Sequence, residues 1–258
     1  MLPYGWFQSD DFYRMAADLP NPDQRKVRLV CCALIRRLGP LLADARIRAA
    51  LEAAEDYALF RVNREFLKAK RAALADIAGE EWERVLYDKN ECERASCDPW
   101  VSRWADEDTE SDLYEEFLQR RATAAPPNRI VRLLEPFLQS VACPGYHLGA
   151  TARTVCEMLR ATDRFDDATA TFFAGCDLLR DVFGDLTHRI TFDPAWRTDT
   201  ATALVRAMYD SREFGAMPIL ADALQDAGCE DEVILAHCRE PGLHVRGCWV
   251  CDKVLGLS

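Results

Sequence analysis

Long apolar runs are what this chain most lacks. The longest stretch free of charge, Pro136 to Ala152, is broken by Pro136, Gln139, Ser140, Pro144, Gly145 and His147, which makes it a poor membrane span. The opening MLPYGWFQSDDF has no basic segment leading into an apolar one and does not read as a signal peptide. No segment alternates apolar and polar residues as a half-buried strand would. Phosphate-cradling loops of the GxxxxGKS/T or GxGxxG kind are missing, as are GxSxG and HExxH, and only 4 histidines are present to act as general bases. A basic stripe is missing too. With a formal net charge of −11 the chain repels a phosphate backbone at long range, so neither nucleic acid nor a membrane is an expected partner.

What is present is an ordinary globular composition. At 258 residues and 49% hydrophobic, the chain buries about 70% of its unfolded surface on folding, so no metal or disulfide is needed merely to complete a core. The 11 cysteines are odd in number and sit in a large chain, unlike the short even-numbered frameworks of secreted domains. They read as thiols in a reducing, cytoplasmic compartment, where a buried thiol behaves as a small apolar residue.

Helical periodicity runs through the chain. A first clear helix opens at Asn21-Pro22 and closes at Gly39-Pro40, with Leu29, Val30, Ala33 and Leu34 on one face and Arg28, Arg36 and Arg37 turned away. Further helices are expected over Ala43 to Tyr57, Asn63 to Ile77 (apolar points Phe66, Leu67, Ala73 and Leu74) and Glu80 to Tyr87. After residue 128, RIVRLLEPFLQSV, TARTVCEMLRAT and DATATFFAGCDLLRDVFG continue the pattern. THRITFDPAWRTDT, 187–200, is the one stretch with extended character. Thr198 caps a helix carrying Leu204, Val205 and Met208, and Pro218 starts one whose buried face is Ile219, Leu220, Ala223 and Leu224, with Gly228 as its C-terminal cap. A short helix from Asp231 to Cys238 ends at Pro241-Gly242. The expected fold is all-α: a compact bundle of short to medium helices without a substantial sheet. Asp10-Asp11 and Asp166-Asp167 read as helix N-terminal charges rather than an acid/base pair.

Charge is unevenly spread. From Glu91 to Phe117 ten acidic residues face only Arg94 and Arg103, with Trp100 and Trp104 one helical turn apart among them. That is either an acidic patch with aromatic anchors for a basic protein partner or a solvated helical face with two core tryptophans. The double proline in ATAAPPN, 122–128, is the best linker candidate, dividing an N-terminal helical part, 1–121, from a C-terminal one, 129–258, unless the two form one continuous domain.

A pattern of cysteine followed three residues later by Leu or Ile recurs in CALIR (Cys32), CEMLR (Cys156) and CDLLR (Cys176), at spacings too unequal for a solenoid. The two positions share a helix face, so the small thiol lets a neighbouring helix approach while the larger residue fills the gap. CDLLRDVFG, TFDPAWRT and MPILADALQDAGCEDEVILAHCREPGLHVRGCWVCDKVLG, with RKVRLVCCALIRRLGPLLADARIRAALEAAE earlier, together resemble a large bacterial paralogous family of hypothetical proteins over about two thirds of the chain. The resemblance implies a whole family member and supplies no activity, cofactor or catalytic residue. Two departures stand out: Asp185-Leu186-Thr187 replaces an Asn-Pro-Phe-like turn, and Cys251 stands where the family has an aliphatic residue.

Chemistry concentrates in AHCREPGLHVRGCWVCD, 236–252. Zinc wants four tetrahedral ligands, usually thiolates and imidazoles. Cys248 and Cys251 share a helix face, His244 lies one turn earlier, and Cys238, or His237 in its place, completes a set from the preceding helix. Against this, a structural finger offers two separated ligand pairs, and the same residues read equally as two packing thiols and two helix-end histidines. CxxC also occurs in thiol oxidoreductases, but the surrounding βαβ context is absent. No catalytic residue is nominated. The expectation is a non-enzymatic protein-interaction module without a cofactor, the alternatives being a zinc protein using Cys238, His244, Cys248 and Cys251, or an enzyme whose site assembles only in space. Oligomeric state is left open.

Overall fold

The computed structural model describes residues 6, 9–74, 76–77, 130–131, 134, 138, 146–162, 164–184, 186 and 190–257. Among them the regular structure is helical throughout, with no strand. The described α-helices include α1 (Phe12–Asp18), α2 (Gln24–Arg36), α3 (Ala45–Ala58), α4 (64–74), α5 (Tyr146–Arg160), α6 (Phe165–Phe183), α7 (Asp199–Ser211), α8 (Met217–Asp226), α9 (Glu232–Arg239) and α10 (Trp249–Leu255). None is long and apolar enough to cross a membrane. The acidic segment 91–117 with Trp100 and Trp104, the expected helix 80–87 and the linker 122–128 lie outside the described residues.

Side chains at the helix starts explain where the helices begin. Each first turn leaves backbone N–H groups without an intrahelical partner, and a short polar side chain satisfies them. Asp11 accepts from Arg14 N at 3.1 Å, Asp44 from Arg46 N at 2.7 Å, Asn63 from Phe66 N at 3.0 Å, Thr198 from Ala201 N at 3.2 Å and Asp231 from Val233 N at 2.9 Å. The start of α2 differs from the expectation at Asn21-Pro22. Asp23 is the cap, accepting from Arg25 N at 2.8 Å, because Asn21 takes a left-handed φ of 45° that turns the chain before the helix.

The chain divides into two compact units. One comprises Leu38–Val141 and Thr154–Ala168. Its described core is aliphatic: Ile47, Ala50, Leu51 and Ala54 on α3, Leu67 and Leu74 on α4, Ile130, Leu134 and Leu138, and Val155, Met158 and Leu159 on α5. Phe66, expected as an apolar point of α4, is 43% exposed. Asn63 caps α4 three residues before Phe66, which sets the buried stripe on Leu67 and Leu74, seven apart.

The other unit comprises Met1–Arg37, Ala142–Arg153 and Thr169–Ser258. Within it α8 packs on α9, α7 on α8 and α10, and α9 on α10. Met217, Leu220, Ala221 and Leu224 form a complete i, i+3, i+4, i+7 stripe on α8, so Ile219, expected inside, is left 58% exposed. Leu204 is half-buried, its place on α7 taken by Val205, Met208 and Tyr209. Arg28, expected to face away from the core, is buried. It falls on a second stripe with Cys31, Cys32 and Ile35, and α2 is covered on most of its circumference rather than on one face.

The cysteine pattern has the predicted packing. Cys32, Cys156 and Cys176 are buried, as are Ile35, Leu159 and Leu179 three residues beyond them.

Candidate metal centre

Four side chains, two from helix ends, one from a connecting loop and one from the residue capping a third helix, converge within the second unit: Asp181, His237, His244 and Cys248. Each offers one donor atom, and the four atoms lie within 4.8 Å of one another. Asp181 comes from the last turn of α6, His237 from the last turn of α9, His244 from the loop after α9, and Cys248 is the residue before the first turn of α10.

Two glycines bring these pieces together. Gly184 follows α6 with φ 69°, and a Cβ there would stand 2.9 Å from Trp249 Cγ, so only glycine lets the tryptophan lie against the end of α6. Trp249 in turn lies against His237, ring centroids 5.1 Å apart. Gly247 has φ 101°, and a Cβ there would meet Leu29 Cδ1 at 2.8 Å. This tight turn, one residue before Cys248, aims the thiol inward.

The carboxylate is the centre of the cluster. Asp181 Oδ1 lies 2.7 Å from His244 Nδ1 and 3.3 Å from His237 Nε2, while Oδ2 accepts from Val245 N at 2.9 Å. His237 Nε2 also lies 3.2 Å from Cys248 Sγ. The two imidazoles meet edge to face, 5.0 Å between centroids. Asp181 and Cys248 are buried, whereas the side chains of His237 and His244 keep 19% and 9% of their exposure.

A buried carboxylate costs several kcal/mol unless it is paired, and a helix C-terminus adds its own partial negative charge to that cost. Burial pushes Asp181 up, but the hydrogen bonds and charges of His237 and His244 outweigh it and hold the carboxyl below its usual range. The histidines respond in kind. Burial pulls His237 down, while Cys248 and the hydrogen bond to Asp181 carry it up to about 9. His244 is likewise pulled down by burial and carried up, to about 10, chiefly by Asp181. Burial drives the Cys248 thiol well above its ordinary value. One carboxylate facing two imidazoles so close together balances only one positive charge. A dication bound among the four donors would balance Asp181 in their place and leave both imidazoles neutral.

The donor set suits such an ion. A thiolate, two imidazoles and a carboxylate are all accepted by zinc, and with bonds of about 2.0 to 2.3 Å a tetrahedron spaces its donors by about 3.3 to 3.8 Å. Two separations, 3.3 and 3.2 Å, already stand near that range, and the Asp181 to His244 contact at 2.7 Å has to widen. In a nucleophilic triad the imidazole turns one nitrogen to the nucleophile and the other to the carboxylate. His237 instead presents the same nitrogen, Nε2, to both Cys248 and Asp181, as a ligand does.

Of the residues nominated from sequence, His244 and Cys248 stand in the cluster, with His237, the substitute, beside them. Cys238, on α9, and Cys251, on α10, are buried and stand outside it. Asp181 was not foreseen. Its trace in the sequence is one acid beside the apolar stripe Leu178, Leu179 and Val182, and nothing local ties it to residues 56 and more positions away.

No known protein family, curated protein or solved structure matches this chain. The reading of the centre therefore rests on its own geometry.

Proposed function

We propose that this chain is a helical protein with a structural zinc centre formed by Asp181, His237, His244 and Cys248. The observation that carries the reading is the convergence of four complementary donor atoms within 4.8 Å. Four protein ligands close a tetrahedral shell and leave no position for a substrate, which favours a structural over a catalytic role. The metal would tie the end of α6 to α9 and α10 across more than fifty residues of chain. A cross-link closing a loop of that size is worth on the order of 4 kcal/mol by restricting the unfolded chain. In this reading the protein is a metal-stapled interaction module rather than an enzyme. The free, buried state of the eight described cysteines supports placing it in a reducing compartment such as the cytoplasm.

The test is elemental analysis of protein purified without chelators, followed by thermal unfolding before and after metal removal. About one zinc per chain is expected, with a clear fall in Tm on removal and recovery on adding zinc back. Asp181→Asn and His244→Gln should each lose the metal. Substoichiometric zinc, together with an unfolding curve indifferent to added zinc, would sink the reading.

A further inference from the structure

The turn between α3 and α4 carries an aromatic residue where helix ends usually have glycine. Phe60 N donates to Tyr57 O at 3.1 Å and Arg61 N to Asp56 O at 2.8 Å, the paired bonds that close a helix around a left-handed residue just past its end. That residue is Phe60, at φ 59°, a conformation that costs energy for any side chain and none for glycine. Its ring is 73% exposed, so core burial does not offset the strain. Strained positions of this kind cluster at functional sites. The helix that follows is basic in an acidic chain: residues 64–74 hold Arg64, Lys68, Lys70 and Arg71 against Glu65 alone, while the whole chain has 32 basic and 43 acidic residues. Leu67 and Leu74 turn inward, which leaves Ala69 and Ala72 exposed on the outer crest of α4. By helical spacing Arg64, Lys68 and Arg71 line one flank of that crest. Phe66, itself exposed, and Lys70 line the other, with the Lys70 ammonium 5.1 Å from the centre of the Phe66 ring.

We infer that Phe60 and the crest of α4 dock a short acidic segment of another protein, one with apolar side chains among its carboxylates. The basic flank meets the carboxylates, and the two exposed alanines let a backbone approach closely. Phe60 and Phe66 supply aromatic anchors, the kind of side chain that dominates binding at protein interfaces. Residues 64–74 span about 16 Å of helix, the length of about five extended residues. A nucleic acid strand fits this surface less well, because its charge continues past the patch onto a chain of net charge −11. An anionic membrane meets the same repulsion over a whole plane. A short peptide carries its charge only where it touches. The surface gives the proposed interaction module a class of partner. It belongs to the unit without the zinc centre and does not depend on the metal.

The test is a titration of the full chain into a fluorescein-labelled peptide of about ten residues, glutamates interspersed with leucines, read by anisotropy. The wild type should bind it, with affinity falling as salt rises, and should not bind the same peptide with lysine in place of glutamate. Phe60→Gly should weaken binding at least about tenfold while Tm stays equal or rises, because glycine relieves the left-handed turn. Lys68→Glu with Lys70→Glu should weaken it by about as much. If that double variant does not fold, Lys70→Ala takes its place and should weaken binding in the same direction. Asp181→Asn should lose zinc and bind the peptide as the wild type does. No peptide binding, or equal binding by the wild type, Phe60→Gly and the lysine variants, would overturn the inference. So would tighter binding of a single-stranded RNA of the same length or of phosphatidylserine vesicles. Binding that emerges only when the ten acids of 91–117 are replaced by their amides would make the chain's own acidic segment the occupant, and would overturn it too. A wild type that binds the peptide but no zinc would sink the zinc reading alone.

Discussion

The two compact units spend their polar groups differently. In the unit built on α3 and α4, the described residues form local ion pairs at the surface: Asp44 with Arg46, Glu65 with Lys68 at 2.8 Å, Arg164 with Asp167 at 2.6 Å. Such pairs join residues already neighbours in the chain and contribute little. In the unit holding α7 to α10, besides local surface pairs such as Arg14 with Asp18, polar contacts bridge distant parts of the chain and are buried or half-buried. Asp252, at 0% exposure, pairs with Arg25 and accepts from Tyr209 Oη at 2.9 Å, and Tyr209 Oη in turn accepts from Gly247 N at 3.0 Å. Trp6 Nε1 donates to Gly184 O at 3.1 Å, and Arg180 to Ser9 O at 2.5 Å. Among the described residues the first unit thus rests chiefly on apolar burial, with long-range polar contacts such as Arg164 Nη1 to Leu38 O at 2.8 Å, and the second adds a charged framework that specifies which segments meet.

The largest expected effect falls on that framework. Asp252→Ala leaves Arg25 buried without a counter-charge, and two of its nitrogens already have no hydrogen-bond partner. Denaturant unfolding should show a loss of about 3 to 5 kcal/mol. Gly247→Ala should cost about 1 to 3 kcal/mol through its positive φ and the contact with Leu29, and should weaken zinc binding more than it lowers the stability of α3, read by hydrogen exchange.

Proton linkage separates the units by sign as well as size. In the metal-free chain the raised values of His237 and His244 mean that their share of stability is complete below their ordinary value of 6.5 and lost as pH rises through about 9 to 10. With zinc the dependence should reverse across neutral pH, because the metal replaces protons and binds more tightly as they leave. Thermal scans from pH 6 to pH 10 with and without zinc would show whether the curves cross; parallel curves would contradict the assignment. Asp44, whose carboxyl is lowered chiefly by its hydrogen bond with Arg46, acts on the acid side. Its contribution is present above 3.8 and lost as pH falls. The smallest of the named effects is Asp44→Ala, which removes the α3 cap and should cost about 1 kcal/mol, detected by exchange at the first amides of α3.

Much of the fold could be read locally. The Thr198 cap and the Cys32, Cys156 and Cys176 faces follow from chemistry within one or two turns, which is why they were legible. Ile219 and Arg28 were misplaced because several stripes of an apolar helix satisfy the same periodicity, and only the neighbours choose among them. At the site, His237, His244 and Cys248 lie within twelve positions and could be singled out as a group.

The amino-acid sequence by itself determined that this is an all-α chain with a cysteine- and histidine-bearing C-terminal turn. Tertiary structure decided which donors meet. Asp181 reaches the histidines because α6 ends at Gly184 against Trp249, and Cys251 is drawn to Met217 by the packing of α7 on α8 and α10. Helical periodicity places a residue on a face of its own helix. It carries no information about which atoms from a distant helix will face it, because that depends on how whole stripes interlock.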